Sequence, residues 1–96
     1  MSQQIIVSTA VPIDLKPLLE SAIRSELQML ELSLDRTAER LHTFETQYGL
    51  TSEEFMRQFE AGALAESLDY IEWAGEIKTY QLLQTQQRAL QSAHVQ

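Results

Sequence analysis

The chain has 96 residues, enough for one small domain, and a domain of that size leans on oligomerisation when its shape is elongated. It has no cysteine, which excludes a disulfide scaffold and a thiolate metal site and fits a reducing cytoplasm. The net charge is −7 and the seven Lys and Arg are dispersed, so nucleic acid, whose phosphates need clustered cations, is not an expected partner.

Residues 1–14 begin Met1-Ser2-Gln3-Gln4-Ile5-Ile6-Val7. With no basic n-region and too short an apolar run, this is not a signal peptide; no apolar run anywhere approaches about 18 residues, so a soluble cytoplasmic protein without a membrane span is expected. Ile5, Ile6, Val7, Thr9, Val11 and Ile13 are apolar or β-branched, and Pro12 limits ladder pairing, so 1–14 reads as an edge strand or extended arm. Such a segment must pair with the same strand of a second chain or lie against helices, and the sequence does not choose. Asp14 offers a cap for the helix that follows, with Pro17 tolerated in its first turn.

A long helix is expected over 15–48. From Leu18 to Tyr48 there is neither proline nor glycine, and Ile23, Leu27, Leu30, Leu34, Leu41, Phe44 and Tyr48 recur by threes and fours, with only Thr37 interrupting the apolar seam. Such a helix is about 50 Å long, beyond the diameter of about 30–35 Å that a compact chain of this size allows. Its N-terminal half also carries Leu18, Leu19, Ala22, Met29 and Leu32, making it apolar nearly all round; its C-terminal half is apolar on the seam alone. A helix with two apolar sides is buried on both. Leu18, Ala22, Met29 and Leu32 are therefore the expected interface of a homo-oligomer, most simply a dimer.

Gly49 ends this helix in the left-handed conformation common after helix C-termini. Thr51 and Glu54 then form a capping box for a short helix over 51–61, with Leu50 and Phe55 as a hydrophobic staple and Ala61-Gly62 closing it. A third helix, capped by Ser67 or Glu66, covers 67–91 and folds back antiparallel on the first. It shows Tyr70, Trp73, Ile77 and Tyr80 on one face, aromatics that at helical spacing read as core or interface. Residues 92–96 are expected to fray. The fold class is thus all-α: long helix, short helix and antiparallel third helix in one domain, with a short N-terminal extended segment.

The charge excess occupies one block. Between Glu45 and Glu76 eight acids face a single base, Arg57, while the rest of the chain balances six against six. A solvated surface and a docking surface for a basic partner both fit; on the second reading Glu53, Glu54, Glu66, Asp69, Glu72, Trp73 and Glu76 make the contact. Glu39 and His42 have the E-x-x-H spacing of carboxylate-bridged metal bundles, but a site needs a second such pair, and His94 is the only other histidine. A metal protein built on Glu39 and His42, with Glu72 and Glu76 completing the site across a dimer, is the lesser alternative, beside a purely structural helical homo-oligomer; no cofactor is expected. There is no phosphate-binding glycine loop, nucleophile elbow or Ser/His/Asp arrangement, and no enzyme is expected.

The stretch Phe44-Glu45-Thr46-Gln47-Tyr48-Gly49-Leu50-Thr51-Ser52-Glu53-Glu54-Phe55, followed by Phe59-Glu60-Ala61-Gly62 and Asp69-Tyr70-Ile71-Glu72-Trp73-Ala74-Gly75, resembles a group of small uncharacterised bacterial and archaeal helical proteins. Their pattern is F-E-x-x-Y-G-x-[ST]-S-E-E-F, then F-E-x-G, then an acidic E-W helix, and it covers about a third of this chain. The resemblance implies an antitoxin-like, non-enzymatic protein with a partner encoded nearby, and the acidic block would suit masking a basic toxin.

Overall fold

The computed structural model describes residues 3–5 and 15–95. Three helices make the fold all-α: α1 (Lys16–Tyr48), α2 (Ser52–Glu60) and α3 (Leu68–Gln91), of 33, 9 and 24 residues. Antiparallel packing of α3 on α1 along the apolar seam produces a rod of 61 × 22 × 17 Å with a radius of gyration of 18.8 Å. A compact chain of this length would have about 13 Å.

The reversals follow the local chemistry. Gly49 takes φ +67° and donates its N–H to the Glu45 carbonyl, ending α1. Thr51 Oγ1 accepts from the Glu54 N–H at 3.1 Å, and Ser67 Oγ accepts from the Tyr70 N–H at 3.1 Å, so Ser67 rather than Glu66 caps α3. Only half of the expected capping box forms. The Glu54 carboxylate turns along α2 to Arg57 and Gln58. At the start of α1, Leu15 occupies the cap position without a side-chain bond, and Asp14 lies outside the described residues.

Two short strands, β1 (Gln3–Ile5) and β2 (Ala93–Val95), pair in parallel within the chain, Gln3 against Ala93 and Ile5 against Val95. Residues 93–95 thus form a strand within the stretch expected to fray, and β1 pairs with it inside the chain, an arrangement outside the two that the sequence offered. The antiparallel hairpin brings the start of α1 and the end of α3 to one end of the rod, where each extended segment satisfies backbone groups of the other. Residues 6–14 lie outside the described ones.

The core sits at the opposite, closed end. Phe55, Trp73, Ala74 and Ile77 are buried together, with Leu41, Phe44, Tyr48, Leu50, Met56, Phe59, Leu64 and Tyr70 packed around them. Farther along the rod only Leu30, Leu34 and Thr37 of α1 are buried. Thr37, buried in the apolar seam, has its hydroxyl satisfied by donating to the Ser33 carbonyl at 2.9 Å.

Away from the seam both long helices carry outward apolar residues. Leu18, Met29 and Leu32 on α1 are 60–62% exposed, and Leu68, Ile71 and Leu82 on α3 are 56–70% exposed. Gly75 lies midway between Leu68 and Leu82 at seven-residue spacing, and a Cβ there would meet nothing within 4 Å. Its backbone is ordinary helix, so Gly75→Ala should stabilise the hairpin by roughly 0.8–1.0 kcal/mol through helix propensity alone. The expected rise in thermal midpoint is about 4–8 °C; an unchanged or lower midpoint would mean that Gly75 is needed for a close approach.

Candidate functional site

Trp73 organises the closed end. Its indole is sandwiched between Phe55, with centroids 3.9 Å apart and planes 5° apart, and Phe44 at 5.6 Å and 11°. Its Nε1–H donates to Ser52 Oγ at 3.0 Å. One side chain thereby joins α1, α2 and α3, and it is 0% exposed. Trp73 is therefore no partner contact, correcting that expectation: α2, capped by Thr51, swings Phe55 across the face that α3 alone would have left open. Glu45, at the end of α1, accepts from the first N–H of α2, Ser52, at 2.8 Å and so anchors the same reversal.

The acidic block divides into committed and free carboxylates. The Tyr48 hydroxyl donates to Asp69 Oδ2 at 2.5 Å, and Gln47 Nε2 lies 3.4 Å from the same oxygen. Glu76 Oε2 lies 3.7 Å from Arg40 Nη1, an ion pair too long for a hydrogen bond, and that oxygen is itself shielded from solvent. With Arg40 largely exposed, the pair contributes little, on the order of 0–1 kcal/mol. Glu54 is engaged by Arg57 and Gln58. Of the acids expected to meet a partner, Glu53, Glu66 and Glu72 are exposed, while Glu54, Asp69 and Glu76 are half-buried and occupied within the chain. Glu60, not among those expected, is also exposed.

Because of the Asp69 bond, Tyr48 has its phenol pushed up to about 12 from 10.0, first by the hydrogen bond to that carboxylate, then by burial and by the nearby negative charges. A raised folded value means that the protonated hydroxyl contributes stability fully below pH 10, and that this contribution is lost as pH rises from 10 towards 12. Alkaline titration followed by circular dichroism should show a stability loss in that window for the native chain. Tyr48→Phe, unable to ionise, should show a smaller one; identical profiles would remove this role for the Tyr48–Asp69 bond.

Two open grooves flank the closed end. One, of about 850 Å³, lies between the three helices, floored by Leu41, Met56, Ile77 and Tyr80 and edged by Glu45, Glu53 and Glu60. The other, of about 560 Å³ between α1 and α3, is lined by Arg40, Phe44, Glu72, Gly75 and Glu76. Glu39 and His42 are exposed on α1, and among the described residues no group of three or more His, Asp or Glu is placed to hold a metal. The His94 side chain lies outside the described residues. Among the described residues no helix is long and apolar enough to cross a membrane. Compared with family models, with curated proteins and with solved structures, the chain matches none.

Proposed function

We propose that this chain is a non-enzymatic protein-interaction module, antitoxin-like in the sense its sequence resemblance implies, which docks a basic protein on its acidic helical surface. The carrying observation is that the carboxylates of Glu53, Glu60, Glu66 and Glu72 are exposed and, among the described residues, form no ion pair or hydrogen bond, in a segment whose net charge is −7. Carboxylates neutralised by their own fold would have little to offer a partner; these keep their full field. Copies join as a dimer through the outward stripe of Leu18, Ala22, Met29 and Leu32. A rival reading, a purely structural homo-oligomer, draws on that stripe alone, which is as exposed as the acids.

Association with a small basic protein encoded beside it tests the docking. Exposed charges are screened within about 8–10 Å at physiological ionic strength, so binding should fall steeply from low to high salt. The triple change Glu53→Gln, Glu66→Gln and Glu72→Gln should slow capture without altering oligomer mass. Asp69 and Glu76 stay untouched, because each holds another side chain in place. A neighbour without basic character, or binding indifferent to both salt and the triple change, removes the docking reading and leaves the structural one.

A further inference from the structure

The groove between α1, α2 and α3 combines an apolar floor with unpaired carboxylates at its edge. Leu41 of α1, Met56 of α2 and Ile77 and Tyr80 of α3 form the floor; all but the buried Ile77 are half-buried. Along α2, Glu53, Met56, Arg57 and Glu60 fall on one stripe at spacings of three and four. The sole cation of that stripe, Arg57, is engaged by Glu54 on its own helix. The carboxylates of Glu53 and Glu60 thus stand at the two ends of the α2 rim with no partner among the described residues, and Glu45, which accepts from the Ser52 N–H, adds a third carboxylate from α1. The α3 rim, Gln81 and Gln84, is neutral.

The groove on the other side has a different character. There Arg40 stands against Glu72 and Glu76, and Phe44 is the one large apolar side chain. Charge is nearly balanced and there is little floor. Of the four exposed acids, Glu53 and Glu60 edge the apolar groove, Glu72 lines the second one, and Glu66 lines neither.

We propose that the groove bounded by Leu41, Met56, Ile77 and Tyr80, with Glu53 and Glu60 at its edge, takes one face of a basic amphipathic helix from the partner protein. This rests on the docking reading and says where on the acidic surface the contact is made. A volume of about 850 Å³ lies within the range of about 300–1,000 Å³ typical of ligand clefts. It accepts the apolar anchors that a helix presents at i, i+3 or i+4, and i+7. Lysine or arginine flanking those anchors on the α2 side reaches Glu53 and Glu60, burying its methylene stem along Met56 while its charge stays at the rim. An acidic or neutral helix would leave Glu53 and Glu60 facing like charge or nothing, so the rim selects sign as the floor selects shape.

A labelled synthetic peptide of roughly 14 residues, about four helical turns, serves as probe, with leucine on one face and lysine on the other. A scrambled peptide of the same composition is its control. The native chain should bind the amphipathic peptide more tightly than the scrambled one. Glu53→Gln with Glu60→Gln should raise Kd about tenfold, while Glu66→Gln with Glu72→Gln should change it less than about twofold. Circular dichroism should show unaltered helix content in both variants. If the second pair weakens binding as much as the first, or the scrambled peptide binds equally, the acidic surface attracts cations without using the groove; the present inference falls and general docking survives. No binding of either peptide by the native chain removes both. If instead the Glu53 and Glu60 changes alter oligomer mass, a second copy occupies the groove and the basic-helix occupant is wrong.

Discussion

Trp73→Ala is expected to remove about 3–5 kcal/mol of stability, the range for emptying a buried indole site. Three contacts go at once: the stack on Phe55, the stack on Phe44, and the hydrogen bond to Ser52. Trp73 is fully buried, so its truncation leaves a cavity that the side chains packed around it fill only by leaving their present positions. Domains of this kind hold only about 5–15 kcal/mol in total, so the variant should lose a large share of its cooperative unfolding. Trp73→Phe keeps an aromatic surface for stacking and loses the Ser52 bond, and should cost less. Urea denaturation followed by helical circular dichroism measures both. A loss below about 1 kcal/mol for the alanine variant would mean that α2 does not depend on this contact, and the closed-end core would need redrawing.

The second large effect concerns assembly. Met29→Glu with Leu32→Glu is expected to reduce the particle from twice the 11.0 kDa chain mass to a single chain, each change costing the dimer on the order of 2–4 kcal/mol through burial of a poorly paired charge. The hairpin should stay folded meanwhile. At 61% and 62% exposure neither residue belongs to the hairpin's own core, and glutamate is a good helix former. Light scattering and circular dichroism separate the outcomes: halved mass with retained helix content is the expected pair. A native chain already running at 11.0 kDa at micromolar concentration overturns the dimer, and the outward leucines would then have to meet something other than a second copy.

The elements that the sequence determined by itself are those set within four residues or by a regular period. Gly49 as the left-handed stop, Thr51 capping the Glu54 N–H, a cap for α3 at Glu66 or Ser67 and the threes and fours from Ile23 to Tyr48 are all local signals, and the helices lie where those signals put them. Tertiary structure decided what depends on a neighbour from elsewhere in the chain. Trp73 read from the sequence as core or interface, and α2 decided for core by folding Phe55 over it. The acids from Glu45 to Glu76 carry one formal charge each, yet Asp69 is held by Tyr48, Glu76 by Arg40 and Glu45 by the N–H of Ser52, from 7 to 36 residues away. Glu53, Glu60, Glu66 and Glu72 are left free because no such neighbour among the described residues reaches them. The closing strand pair is decided in the same way, since β1 and β2 stand at opposite ends of the chain and become neighbours only when the hairpin brings the two ends of the rod's long helices together.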